Sequence, residues 1–230
     1  SEGQGFEHKR WFPDAKINIV ETLLAGDPDA EAIVALAEDG HHRTITRAQL
    51  RGEVAACAAA LRAHGVTPGD RVVAWMPNVP ETVIFALGAL SIGAVVSTAS
   101  PDFGPSALID RFGQIEPKIL LAACEYRYGG KDVSLAASID EVAKALPTVS
   151  DVVVLGGSES LLSWERWIAP FRGTPLHLEN LAFDHPAFIL FSSGTTGKPK
   201  CIVHSAGGVL LKVLTEQGYH LDINRGDRIM

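Results

Sequence analysis

What most restricts the fold of this chain is a recurring exchange between two kinds of segment. Short apolar runs rich in Val, Ile and Leu recur along it: RVVAWM at 71–76, AVVSTA at 94–99, KILLAA at 118–123, VVVL at 152–155 and AFILF at 187–191. Each is too short for a helix and lacks the polar alternation of a strand with one wet face. Such runs fit strands buried on both sides, as in a parallel sheet. Helical signals fill the gaps between most of them. That alternation predicts an α/β fold with a largely parallel sheet, and right-handed crossovers put helices on both of its faces.

The helical signals are specific. Asn18 followed by Glu21 reads as an N-cap with an acidic partner, opening a short amphipathic helix in INIVETLLA. Thr46 and Gln49 form a capping-box pair. Leu50, Val54, Cys57 and Leu61 then repeat at helical spacing, and Gly65 stands where a C-terminal glycine belongs. Pro80 starts a helix to about Ile92, Pro105 one to about Gln114, and residues 140–146 and about 206–217 read as two more. Near the N-terminus, EAIVALAE at 31–38, Asp39-Gly40 and 42–45 read as a β-hairpin. Residues 156–184, which contain Trp and Pro, read as a long irregular connection, and Gly226-Asp227-Arg228 as a turn. Residues 1–30 are expected to be an irregular and helical lead-in, and 31–230 part of one larger domain.

Composition narrows the function. With 20 Lys and Arg against 27 Asp and Glu the formal net charge is −7, so a protein living by neutralising nucleic-acid phosphates is not expected. Cys57, Cys124 and Cys201 are odd in number and far apart, which fits a reducing cytoplasm rather than a disulfide framework. Residues 82–101 carry no charge over about the length of a membrane span. Gly88, Gly93 and several hydroxyl residues interrupt them, so they read as a buried helix followed by a buried strand.

The stretch with most chemistry is Ser192-Ser193-Gly194-Thr195-Thr196-Gly197-Lys198-Pro199-Lys200, directly after an apolar strand. Two glycines let several N–H groups face one concavity, hydroxyls add donors, and Lys198 and Lys200 add charge, which suits phosphate. The P-loop spacing is absent, because only two residues separate the glycines and Pro199 follows Lys198. A polar surface turn of small residues is the alternative reading of such a loop.

SSGTTGKPK resembles the phosphate-loop signature of the adenylate-forming enzymes, the acyl-CoA synthetase superfamily. Thr46–Ala63 with GDRVV at 69–73, and GALSIGA at 88–94, resemble two further stretches of that family in the same order. WFPDAKINIVETLL, MPNVPET, the stretch from SPDFG to GQIEPKILLAACEYRYGGK, and FSSGTTGKPKCIVHSAGG are similar to its acetoacetyl-CoA synthetase branch. The resemblance implies part of the large N-terminal domain of an adenylate-forming enzyme. It implies ligation of acetoacetate to coenzyme A through an acyl-adenylate, with ATP and Mg²⁺, and small molecules rather than nucleic acid or a membrane as partners. The family's aromatic-TGD segment and C-terminal lid domain are not found in these residues, so they are expected to be inactive alone. Other readings are an acetyl-CoA or other short-chain synthetase, a peptide-synthetase module and a non-catalytic nucleotide-binding remnant.

By the same resemblance Lys200 is the phosphate-facing, catalytic lysine. Ser192, Ser193, Gly194, Thr195, Thr196, Gly197 and Lys198 complete the ATP loop, with Thr196 toward Mg²⁺. Asp102 and Phe103 are candidates for the acyl pocket. His204 is another, against the simpler reading of a core histidine on a buried strand. Cys201 is expected to be a buried, inert thiol. Trp164 and Trp167 are expected to pack on each other, and His41-His42 lacks partners for a metal.

Overall fold

Each apolar run finds a strand partner on both flanks. The computed structural model describes residues 5, 9–157, 160–193, 197–224 and 226–229. Its main sheet contains β1 (Arg71–Trp75), β2 (Val95–Ala99), β3 (Ile119–Ala123), β4 (Asp151–Leu155), β5 (Leu162–Ser163), β6 (Pro186–Ser192) and β7 (Lys200–Ser205). The spatial order is β5-β4-β3-β1-β2-β6-β7. All neighbours are parallel except β6 and β7, which pair antiparallel. Central β1 pairs Val72 with Val96 on one side and Ile119 on the other, and its Val72–Trp75 segment is fully buried. Burial on both faces is why these runs carry no alternation.

Helices α1 (Ile19–Leu23), α2 (Arg47–Ala63), α3 (Pro80–Ser91), α6 (Trp164–Ile168) and α7 (Ala206–Thr215) pack on one face, and α4 (Pro105–Phe112) and α5 (Ala136–Ala145) on the other. The capping box forms as predicted: Thr46 Oγ1 accepts from Gln49 N at 3.2 Å, and Gln49 Oε1 accepts from Thr46 N at 2.8 Å. Leu50, Val54, Cys57 and Leu61 form the buried stripe of α2. Asn18 caps α1 by accepting from Val20 N at 3.0 Å. Its amide also donates to the carbonyls of Ser91 and Glu179, each at 3.0 Å, which ties the lead-in to the end of α3. Residues 82–101 are the last turns of α3 and all of β2, and no described helix is long and apolar enough to cross a membrane.

The 156–184 segment departs from expectation. It contains β5, α6 and a 3-10 turn at Ala169–Phe171. Ser163 caps α6, and Trp164 and Trp167 pack with ring centroids 5.5 Å apart, both buried. A five-residue helix is too short to show periodicity, and tertiary packing holds it. A hairpin at Glu125–Tyr128 and Lys131–Ser134 was also not foreseen. Its polar, exposed strands carry no apolar signal. At its tip Gly129 N and Gly130 N donate to the Glu38 carboxylate at 3.0 and 2.9 Å.

At the amino edge of the sheet, Asp70 Oδ2 accepts from Thr67 N, Thr67 Oγ1 and Lys118 Nζ at 2.8, 2.7 and 2.7 Å. Burial opposes the charge, but the hydrogen bonds from Lys118 and Thr67 outweigh it and hold the carboxyl below its usual range. A depressed carboxyl contributes stability above its unfolded value, about pH 4, and loses it as pH falls through the folded value. Asp70→Asn is therefore expected to cost about 1.5–3 kcal/mol at pH 7 in urea unfolding. That difference should shrink as pH drops below about 4; a constant difference would contradict the assignment.

Candidate active site

The carboxyl ends of β1, β2, β3, β4 and β6 lie along one edge, and the loops that leave them form the candidate site. Two of these strands, β2 and β6, are neighbours whose connections diverge. After β2 the chain crosses to α4 on one face, whereas after β6 it turns directly into β7. In open α/β sheets such a divergence leaves a crevice outside the strand ends, where ligands bind.

The Ser/Thr/Gly/Lys stretch is the tip of the β6–β7 hairpin. Ser192 and Lys200 are direct partners at its base. A P-loop runs from strand to helix; here the chain returns antiparallel, and α7 begins only at Ala206. Ser192 is half-buried, whereas Ser193, Gly197, Lys198 and Lys200 are exposed. Gly197 has φ +118°, which only glycine adopts without strain. Gly194, Thr195 and Thr196 lie outside the described residues. Among the described residues neither Lys198 nor Lys200 has a carboxylate within ion-pair distance, whereas Arg43, Arg62, Lys118 and Arg172 are each paired with one. Two unneutralised lysines at the crevice suit an anionic ligand on an acidic protein.

Asp102 and Phe103 stand in the loop between β2 and α4, on the same edge as the hairpin tip. Asp102 Oδ2 accepts from Ser100 Oγ at 2.9 Å, and Oδ1 accepts from Tyr126 OH at 3.2 Å. Burial and then the bond to Asp102 push the Tyr126 phenol up, so it stays a donor. The Arg111 guanidinium sits 4.4 Å from the centroid of the Phe103 ring.

His204 is not brought to this edge. It pairs with Phe188, four residues along β7 from Lys200, or about 14 Å at the rise of an extended strand. It is half-buried, and its strand is not the buried one expected: β7 is the edge of the sheet, with Lys200, Cys201, Ile202 and Val203 exposed. Cys201 is accordingly exposed rather than buried, with Sγ 3.7 Å from Gln114 Oε1. An edge strand has one neighbour, so an apolar sequence alone does not bury it. Tyr126, Arg111 and Gln114 were not singled out in the sequence, since nothing local marks their long-range contacts.

Clefts of about 620 Å³, between Glu31, Arg47 and Arg228, and about 360 Å³, between Arg43, Glu53 and Arg172, lie away from the hairpin tip. The charged wall of the smaller cleft is tied into ion pairs, Arg172 with Glu53 and Glu165 and Arg43 with Glu81, and in the larger one Arg228 pairs with Glu31. Of the described residues, none at the hairpin tip lines either cleft. No cluster of potential metal ligands occurs among them.

A doubly wound sheet with a Ser/Thr/Gly/Lys hairpin at its carboxyl edge places the chain in a class that the family comparison specifies: it belongs to the AMP-binding enzyme family, whose model matches residues 20–230. Within it the chain is similar to the acetoacetyl-coenzyme A synthetase of Rhizobium meliloti (strain 1021), 41% identical over 236 aligned residues that cover 99% of this chain and 36% of that protein. It is 38% identical to the acetoacetyl-CoA synthetase of Macaca fascicularis, over 96% of this chain and 35% of that one. The solved acetoacetyl-CoA synthetase from Streptomyces lividans superposes with a TM-score of 0.90 at 39% identity, over 96% of this chain and 35% of its own. The chain therefore spans about a third of the length of these relatives.

Proposed function

We propose that, in a chain of the relatives' length, these residues form part of an acid–thiol ligase that activates acetoacetate with MgATP and passes it to coenzyme A. The observation that carries this reading is the hairpin tip, whose Lys198 and Lys200 have no carboxylate partner among the described residues, in a chain similar to several acetoacetyl-CoA synthetases.

In the first step an acetoacetate carboxylate oxygen attacks the α-phosphorus of ATP. A new O–P bond forms, the bond to the bridging oxygen breaks, and pyrophosphate leaves. The nucleophile is already an anion, so no general base is needed; alignment and charge stabilisation are. Lys200, next to the base of the hairpin, and the hydroxyls and N–H groups of Ser193–Lys198 are assigned that work. Lys198 adds positive potential, and Thr196 is assigned to the Mg²⁺ side of the nucleotide. In the second step the thiol sulfur of coenzyme A attacks the acyl carbon, AMP leaves, and the thiol proton is released. Cys201 plays no part. Asp102 and Phe103, on the neighbouring loop, are assigned to the acyl side.

Specificity tests this reading. A pocket that hydrogen-bonds the 3-keto oxygen rejects analogues lacking it, because its own polar group is left unpaired. With saturating MgATP and coenzyme A, kcat/KM is expected to favour acetoacetate over both acetate and butyrate by at least about tenfold, the lower end of single-group discrimination. Equal or better use of acetate would instead favour a short-chain acetyl-type synthetase. A full-length chain that binds nucleotide but supports no acid-dependent exchange would be a nucleotide-binding remnant.

A further inference from the structure

Helix α4 links the two candidate loops. It begins directly after the Asp102–Phe103 loop, with Gly104 as N-cap and Pro105 in its first turn, and ends at Phe112. Two residues further on, Gln114 reaches the other loop. Its Nε2 donates to the Asp110 carbonyl at 2.5 Å and to the Pro199 carbonyl at 3.1 Å. Its Oε1 accepts from Cys201 Sγ at 3.7 Å. These bonds cross 85 and 87 positions of sequence and join the exit of the hairpin tip to the body of the protein.

The position of the bond matters more than its strength. The Pro199 carbonyl and the Lys200 N–H belong to a single planar peptide unit. Whatever holds that carbonyl orients the plane from which the Lys200 side chain departs. The residues just before it have little restraint of their own: Gly197 is at positive φ with open space around it, and Lys198 is exposed with no ion-pair partner among the described residues. The amide of Gln114 is fully engaged. Its donor group serves two carbonyls and its oxygen accepts the thiol, so it cannot rotate without losing bonds. Because β7 is an edge strand, no further strand fixes this end of the hairpin from its outer side among the described residues.

We propose that Gln114 is a positioning residue for the phosphate loop: it holds the peptide plane ahead of Lys200 and thereby aligns that lysine on MgATP. This rests on the function proposed above. The partners of Gln114 are Asp110, Pro199 and Cys201, so it acts on Lys200 through the chain. Its removal should therefore weaken the nucleotide side selectively and leave the acid side unchanged.

The test uses the full-length protein and acetoacetate-dependent ATP–pyrophosphate exchange. Gln114→Ala is expected to raise KM for MgATP about two- to twelvefold, the range for one lost hydrogen bond. KM for acetoacetate and the unfolding midpoint should stay close to those of the parent. Gln114→Glu keeps the acceptor for Cys201 but loses the donor to Pro199, and should behave like Gln114→Ala. Gln114→Lys restores a donor on a flexible side chain one bond longer and should return KM for MgATP to within about twofold. An unchanged KM for MgATP in Gln114→Ala, an equal rise in KM for acetoacetate, or a failure of Gln114→Lys to restore it overturns the proposal. A parent that binds no MgATP overturns both this and the proposed function. A parent with normal exchange and an insensitive Gln114→Ala variant overturns this proposal alone.

Discussion

Replacing Thr195 and Thr196 together by Val, in a chain of the relatives' length, is expected to lower acetoacetate-dependent ATP–pyrophosphate exchange by at least about a hundredfold, the lower end for the loss of a single such donor. Val has the shape of Thr without its hydroxyl, so the loop keeps its bulk and loses two donors. A donor aimed at charge that develops in the transition state contributes roughly 2.7–4 kcal/mol, because its dipole is already oriented when the reaction begins. The loss should fall mainly on kcat, with the unfolding midpoint little changed, since Ser193 and Gly197, the nearest described residues in sequence, are exposed. Exchange at the parent's rate would mean that this loop does not meet the phosphates. The reading of Lys200 would then fall with it.

Gly207→Ala is expected to be among the most destabilising single-methyl additions in the chain. Gly207 is buried in the first turn of α7, directly after β7. A methyl group there would lie 2.4 Å from Cδ2 and Cε2 of Phe183 and 2.5 Å from Cγ. Swinging the outer ring aside gives no relief, because the root of the ring is equally close. The backbone is fixed as well, by the bond from Gly207 N to the Phe183 carbonyl at 2.9 Å, and the ring packs on Phe12 with centroids 4.8 Å apart. Overpacking of this kind costs about 1–3 kcal/mol, and here the upper end or beyond is expected. Denaturant unfolding measures it. A Phe183→Leu change in the Gly207→Ala background should recover at least about 1 kcal/mol, although Phe183→Leu alone destabilises. If the two costs simply add, the clash is not the cause. Gly88 makes a comparable close approach, 2.7 Å from a built methyl to Cys57 Sγ, which explains why α2 and α3 can pack so tightly. Burial pushes the Cys57 thiol up and keeps it neutral in that contact.

The sequence by itself determined the elements whose signals are local. The capping box at Thr46 and Gln49, the stripe of Leu50, Val54, Cys57 and Leu61, the prolines that open α3 and α4, and the apolar runs of β1, β2 and β3 all depend on neighbours within a few positions, and all are found in place. The phosphate-loop candidate was legible for the same reason, since its chemistry lies in nine consecutive residues.

What tertiary structure alone decided is where each strand lies in the sheet and what reaches it. AFILF and CIVH are comparably apolar, yet β6 has a partner on both sides and β7 on one, so Cys201 and Val203 are exposed although their neighbours in sequence suggested a core. His204 lies near Lys200 in the chain, but the rise of an extended strand carries it about 14 Å along the sheet and away from the crevice. Conversely, Gln114 and Pro199, and Tyr126 and Asp102, are far apart in sequence and meet only because crossovers return helix α4 and the 125–134 hairpin to the carboxyl edge. Hydrophobic periodicity reports whether a residue is buried by its own element. It carries no information on which other element completes the burial, because that depends on the order in which strands join the sheet.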